Sequence, residues 1–122
     1  MKAVLTHLIG GKRGVQEVFS AGTISLGRDS SNDLIFSSHD TKVSARHAEI
    51  KFRNDASRVR DLNSTNGTFI NGQRITESDL NDGDIIEFGL GGPRIKLEFD
   101  RSDDLTHRID DQTNRLQIPA TG

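Results

Sequence analysis

The chain has 122 residues, which is the length of about one domain of ordinary size. Charged residues of both signs make up 28% of it and the net charge is -2, so no basic block favours general binding to nucleic acid. It has no cysteine for disulfides or thiolate metal sites, and no apolar run of the about 20 residues that a membrane-spanning helix needs, so we predict a cytoplasmic domain that contacts no membrane. We also predict that the isolated domain is a monomer.

Short strand-like runs follow one another along the chain, with turn residues between them. In the fifth run, Ala48, Ile50 and Phe52 fall on one face while Glu49 and Lys51 fall on the other. This period of two is typical of half-buried antiparallel strands, and many short strands with regular turns indicate a β-sandwich or a barrel. The predicted strands are residues 4–9, 15–19, 23–27, 34–36, 47–52, 58–62, 68–70, 74–75, 85–88 and 95–99.

Turn signals separate these runs. Asn66-Gly67 and Asn71-Gly72 are the strongest hairpin signals, because Asn and Gly tolerate a positive φ. Asn71-Gly72 is predicted to join residues 68–70 to residues 73–75, and Asp82-Gly83 is predicted to form another turn.

The pattern changes at the end of the chain. Residues 100–122 are polar and charged, and only a weak helical stripe of Leu105, Ile109 and Leu116 is visible. We therefore predict a domain over residues 1–99, followed by a tail or linker.

Polar residues suited to a phosphate on an extended peptide lie where the predicted strands end. They are Gly27-Arg28, then Ser44-Ala45-Arg46-His47, then the run from Asp61 to Thr68, and finally Asp82-Gly83-Asp84. In this order, over roughly residues 3 to 99, they resemble the forkhead-associated (FHA) domain family. The resemblance implies an antiparallel β-sandwich of about 10–11 short strands with binding loops at one edge. It also implies a non-catalytic reader of phosphothreonine peptides in serine/threonine-kinase signalling, which needs no cofactor and no metal.

The resemblance assigns a role to each residue of the predicted site. Arg28 carries the guanidinium fork that pairs with phosphate, a recognition mode that FHA domains are known to use. Ser44 and Thr65 add hydroxyl donors, and the Asn66 carboxamide holds the peptide backbone. The residues expected to support these binding loops are Gly27, His47, Asn63, Gly67 and Asn71.

Ala45 departs from the family pattern, in which a basic residue or Asn often follows the serine. Alanine leaves only a main-chain N–H for the phosphate, so Lys42 or Arg46 would have to supply the missing charge. Lys42 lies where family members often select the third residue after the phosphothreonine, and a lysine there favours an acidic residue.

Other functions compete for the same residues. Ser44 and His47 suggest a hydrolase nucleophile and its base, but no third member or Gly-x-Ser-x-Gly elbow is identifiable. The run from Asp61 to Gly72 fits a calcium-binding EF-hand loop poorly. Its sixth residue is Asn66, where an EF-hand has glycine, and its twelfth is Gly72, where an EF-hand has glutamate. A nucleotide phosphate loop is absent from the sequence, and the four histidines lack metal-ligand spacing.

Two interaction hypotheses stay open beside the phosphopeptide reader. The fold could serve as a phosphate-independent scaffold, for which Ala45 is the best support. Alternatively, Thr106 or Thr113 of the tail could be phosphorylated and occupy the site, within one chain or between two.

Overall fold

The alternating apolar residues line the inner faces of two β-sheets in the computed structural model, which describes residues 2–20, 22–53 and 56–100. The strands are β1 (Lys2–Ile9), β2 (Gln16–Phe19), β3 (Gly22–Gly27), β4 (Leu34–Ile35), β5 (Ala48–Arg53), β6 (Ala56–Asp61), β7 (Thr68–Ile70), β8 (Gln73–Ile75), β9 (Glu77–Leu80), β10 (Ile85–Phe88) and β11 (Arg94–Asp100). This architecture confirms the predicted all-β sandwich.

Strand order divides the chain between the two layers. One sheet has six strands in the order β2-β1-β11-β10-β7-β8, and the other has five in the order β4-β3-β5-β6-β9. Neighbouring strands are antiparallel except β3 and β4, whose short parallel contact pairs Leu26 with Leu34. The chain changes sheet between β6 and β7, so the loop before Thr68 connects the two layers.

The core lies between the sheets, where the predicted inward-facing residues are buried. Ala48 and Ile50 are fully buried and Phe52 nearly so, as their alternation with charged residues predicts. Phe36 comes from the loop after β4 and packs on Phe88 of β10, with ring centroids 4.7 Å apart. This aromatic contact anchors the loop that follows β4, which carries Ser44.

Two turn predictions have different outcomes. Asn71-Gly72 joins β7 to β8 as a hairpin, with Ile70 opposite Gln73 and positive φ values at both turn residues. Asn66-Gly67 also turns, but β6 and β7 belong to different sheets, so it is a crossing between layers and not a hairpin.

Strand β9 is the element that the sequence pattern misses. Its four residues, Glu-Ser-Asp-Leu, show no apolar alternation, and only Leu80 is buried. It pairs with β6, where Arg58 contacts both Glu77 and Asp79. Its strand conformation therefore depends on partners that are distant in the sequence.

Within the described ranges, no helix has the length and apolar character needed to cross a bilayer. The predicted tail lies outside these residues beyond Asp100, and so do Thr106 and Thr113.

Candidate functional site

Three loops that leave the sandwich at one edge are tied together by hydrogen bonds. Arg28, just after β3, donates its main-chain N–H to the Ser44 carbonyl at 3.1 Å. Thr65, between β6 and β7, donates its N–H to Ser44 Oγ at 3.1 Å. Asn66 donates its side-chain amide to the Lys42 carbonyl at 3.0 Å. The structure thus brings Arg28, Ser44, Thr65 and Asn66 together, although 38 positions of sequence separate the first from the last.

Gly27 is required at this edge for its lack of a side chain. A methyl group there would overlap the Ala45 carbonyl oxygen and lie 2.8 Å from Asn32 Nδ2. Its φ is not among the positive values, so the reason for glycine here is space and not conformational freedom. The close approach lets Asp29 N–H and Asn32 Nδ2 donate to the Ala45 carbonyl, at 3.1 and 2.6 Å. These contacts hold the Ser44 loop against β3.

The Arg28 guanidinium is half-buried and fixed along one side. Its Nε donates to the Val43 carbonyl at 2.5 Å, and its Nη1 approaches the Ser38 carbonyl at 3.5 Å. The Nη2 amino group has no partner within the described residues. An oriented guanidinium with free donors loses little side-chain entropy when it binds an anion.

The hydroxyls and the amide at the site also keep free groups. Ser44 Oγ accepts the Thr65 N–H, so its own O–H remains a donor. Thr65 Oγ1 has no protein partner among the described residues, and Thr65 is exposed. Asn66 uses one amide hydrogen on Lys42, which leaves its other N–H and its carbonyl for a ligand.

His47 connects two of the loops from inside the sandwich. Its Nδ1 accepts the Ser44 N–H at 3.0 Å and its Nε2 donates to the Gly67 carbonyl at 2.8 Å. The ring is fully buried and meets Phe88 edge-on, with centroids 5.2 Å apart. Burial lowers the pKa of His47, although the Gly67 carbonyl and Asp61 oppose the shift. The imidazole is therefore a neutral brace, bonded to the main chain of Ser44 and not to its hydroxyl.

Asp61 organises the loop that carries Thr65. Its carboxylate accepts the Ser64 N–H at 3.0 Å, the Ser64 hydroxyl at 2.6 Å and the Thr68 hydroxyl at 2.7 Å. Burial favours its protonated form, but the bonds from Ser64 and Thr68 outweigh this and lower the pKa of Asp61. Across the described parts of the chain, no three His, Asp or Glu side chains are grouped as metal ligands would be.

Asn63 and Gly67 shape the same loop through their backbone conformations. Asn63 has a φ of 60° and Gly67 a φ of 86°, values that favour Asn and Gly. The Gly67 N–H donates to Ser64 Oγ, and its carbonyl accepts both His47 Nε2 and the Gly89 N–H, each at 2.8 Å. The Asn63 side chain has no hydrogen-bond partner among the described residues, so the contribution of Asn63 to this loop is its positive φ.

The cations proposed to compensate for Ala45 lie on different sides of the loop. Lys42 Nζ donates to the Leu90 carbonyl at 2.7 Å, which ties the Ser44 loop to the turn between β10 and β11. Arg46 is exposed and contributes to the lowered pKa of Asp29, after the larger effect of hydrogen bonds from Ser31. Ala45 is exposed, and its N–H has no partner within the described residues.

Asn71 is not brought to this edge. It follows β7, whose first residue Thr68 lies at the site, and β7 carries the chain away by about 3.3 Å per residue. Its side chain accepts the Ile85 N–H and donates to Asp84, both at 3.0 Å. Its contacts therefore brace the opposite end of the six-stranded sheet.

The sequence analysis does not predict two of the residues that lie at this edge. Asn32 is buried and bonds the Ala45 carbonyl, yet it follows Arg28 in a run of polar residues without periodicity. Arg74 reaches Gly67 from the neighbouring strand β8. The Asn71-Gly72 hairpin signal could have found Arg74, because a two-residue turn places position 74 opposite position 69.

Comparison with known proteins agrees with this geometry. The FHA domain model matches residues 24–89, which is more than half of the chain. The chain is 43% identical over 68 residues to the FHA domain-containing protein FhaA of Mycobacterium tuberculosis, covering 56% of this chain but only 12% of FhaA. A solved FHA domain, described within a structural and functional analysis of phosphothreonine-dependent FHA domain interactions, is 31% identical with a TM-score of 0.71, covering 82% of this chain and 98% of that one.

A second solved structure is the FHA domain of FhaA in complex with the intracellular domain of Rv3910. It is 32% identical to this chain, with a TM-score of 0.68 and coverage of 79% of this chain and 99% of that one. The family match and the shared two-sheet fold agree. The chain belongs to the FHA domain family.

Proposed function

We propose that this domain binds phosphothreonine peptides of partner proteins without catalysing a reaction, and so serves as a docking module in serine/threonine-kinase signalling. The observation that carries the proposal is the group of unpaired donors on the joined loops at one edge. Arg28 contributes a fixed guanidinium, and Ser44 and Thr65 contribute free hydroxyl groups. Asn66 adds a free amide N–H and carbonyl that suit the main chain of an extended peptide.

The strength of such binding follows from the number of contacts. A hydrogen bond to a charged group contributes about 1.5–3 kcal/mol. About three of them, less the free energy of ordering the peptide, correspond to a Kd in the micromolar range. Ala45 contributes its free N–H in place of a basic side chain.

Two contacts of Ser44 argue against the hydrolase alternative. His47 Nδ1 accepts the Ser44 main-chain N–H, while Ser44 Oγ accepts the Thr65 N–H. The imidazole therefore has no hydrogen bond to the hydroxyl that it would have to deprotonate.

Lys42 supports a preference for an acidic residue beyond the phosphothreonine. Its ammonium group is exposed at the same edge and neutralised by no carboxylate among the described residues, since its recorded partner is the Leu90 carbonyl.

The test is fluorescence-polarisation binding to a degenerate phosphothreonine peptide library, with unphosphorylated and phosphoserine pools as controls. Saturable phosphothreonine-dependent binding that Arg28→Ala weakens about tenfold or more is the expected result. Arg53→Ala is the matched control, because Arg53 is an exposed arginine at the far end of β5. Equal affinity for phosphorylated and unphosphorylated pools would instead favour the phosphate-independent scaffold.

A further inference from the structure

Arg74 is an exposed cation of β8 that lies beside the proposed phosphopeptide site. Strand β8 is the edge strand of the six-stranded sheet, and Arg74 stands opposite Phe69 of β7. Its guanidinium reaches back along β7 to Gly67, where a methyl group would lie 2.9 Å from Arg74 Nε and 3.2 Å from Nη2. The charged end of Arg74 therefore rests against the residue that follows Asn66.

The Arg74 guanidinium has no counterion in the described residues. It makes no ion pair and no side-chain hydrogen bond there, whereas Arg58, Arg60 and Arg94 each contact a carboxylate. A guanidinium that lies against the main chain with its donors free suits an anion that presents two oxygens side by side, such as a carboxylate or a phosphate.

Arg74 lies close to the residues proposed to hold the phosphothreonine peptide. Consecutive Cα atoms are 3.8 Å apart, so Gly67 lies within about 8 Å of Thr65, whose N–H bonds Ser44 Oγ. Lys42 contacts the same loop at a different place, because its carbonyl accepts the Asn66 side-chain amide. Gly89 packs beside this contact, since a methyl group there would lie 3.0 Å from Lys42 Cβ and 3.1 Å from Asn66 Cβ. Asn66 thus has two separate cations near it, Lys42 by the β10–β11 turn and Arg74 by the β7–β8 hairpin.

We infer that Arg74 is a specificity-determining residue that selects partners carrying a second acidic group, a carboxylate or a phosphate, near the phosphothreonine on the β8 side of Asn66. This inference rests on the proposed function. Arg74 reads a neighbouring side chain and not the phosphothreonine itself, which Arg28, Ser44 and Thr65 bind. The selected partner is a phosphothreonine peptide with an acidic or doubly phosphorylated sequence.

A positional scan with matched variants tests the inference. The peptides carry one phosphothreonine among alanines, with a single Asp placed in turn at each flanking position, and fluorescence polarisation measures each Kd. The proteins are the unchanged chain, Arg74→Gln and Arg53→Gln, which removes the same charge from an exposed arginine on the other sheet. A phosphoserine series at the favoured position distinguishes phosphate from carboxylate as the second group.

The expected result is a gain of about threefold or more from Asp at one position that is lost in Arg74→Gln and kept in Arg53→Gln, while a gain from Asp at the position that Lys42 selects is kept in both variants. Arg74→Lys should keep part of the gain with Asp. An equal loss for every peptide, the all-alanine one included, would assign Arg74 a purely structural role and overturn the inference while leaving the proposed function intact. Failure of the unchanged chain to bind any phosphothreonine peptide would overturn both.

Discussion

At the residue scale, small side chains and free donors prepare this edge for an anion. Gly27 has no side chain where the Ala45 carbonyl packs, and the Asn32 side-chain amide donates a hydrogen bond to that carbonyl. Ser44 accepts one bond and keeps its hydroxyl hydrogen. Gly27 and Asn32 therefore support the loop that carries Ser44, one of the proposed phosphate ligands.

Gly27→Ala tests the close approach between β3 and the Ser44 loop. The added methyl overlaps the Ala45 carbonyl, so the loop must shift, and we expect a loss of phosphothreonine affinity of about tenfold or more together with a lower melting temperature. Gly83→Ala is the control, because space there is open and only its positive φ of 88° is strained, at a cost of about 1–2 kcal/mol. Unchanged affinity in Gly27→Ala would show that the loop accommodates the methyl group.

Sequence reasoning makes its clearest predictions at this scale where one side chain has one chemical use. An arginine after a strand, a serine and a Thr-Asn-Gly turn indicate phosphate chemistry before any contact is known. Asn71 is the contrary case, because the same Asn-Gly pair occurs at both ends of β7 and the sequence does not say which end lies at the site. The sequence does not single out Arg74, because its contact with Gly67 forms only when β8 pairs with β7.

At the scale of elements, strand β9 shows which contacts hold an edge strand in place. Arg58 joins β6 to Glu77 and Asp79 through exposed ion pairs, and these neighbours raise the pKa of Arg58. Leu80, in contrast, is buried in the core. Exposed pairs are screened by solvent, whereas a buried leucine removes apolar surface from water.

Leu80→Ala should therefore destabilise the domain by about 2–5 kcal/mol in urea denaturation. Arg58→Ala, which removes both ion pairs, should change the urea midpoint far less. Comparable losses of unfolding free energy in Leu80→Ala and Arg58→Ala would contradict the larger contribution of Leu80. The ion pairs would then be as important as the buried leucine in holding β9.

Loops at the element scale are joined through shared carbonyls. The Gly67 carbonyl accepts His47 Nε2 from one loop and the Gly89 N–H from another. Lys42 bonds the Leu90 carbonyl in the same region. The loop between β10 and β11, which carries no predicted phosphate ligand, thus becomes part of the support of the site.

At the scale of the whole molecule, the buried neutral His47 makes stability depend on pH. Its pKa is lowered by burial in the folded state, while in the unfolded chain it has its ordinary value of 6.5. Between these two values the unfolded state binds more protons, so stability is fully present above about pH 6.5 and falls as pH decreases towards the lower, folded value. Asp61, whose pKa is also lowered, adds a loss in the same direction at more acidic pH.

We expect the free energy of unfolding, measured by urea titration, to decrease as pH is lowered from about 7.5 to 5.5. His47→Gln should be less stable throughout, since Ser44 N–H and the Gly67 carbonyl lose their partner, and it should have a flatter pH profile. A profile as steep as that of the unchanged chain would show that other groups cause the dependence.

Short segments of the sequence specify the strands, the turns and the candidate phosphate ligands. Alternating apolar residues specify half-buried strands because side chains on a strand point to opposite faces, and the Asn-Gly pairs place turns because few residues accept a positive φ. The amino acids capable of binding phosphate are likewise visible from their functional groups. These properties belong to short segments and need no distant partner.

Tertiary packing sets which loops meet and which polar groups stay free. Strand β9 forms on β6, His47 bonds both Ser44 and Gly67, and Arg74 reaches Gly67 without a counterion. Each of these contacts joins residues from separate strands or loops, and strand order and register set their distances. Local sequence patterns carry no record of that order, because pairing between distant strands is determined by the packing of the whole core.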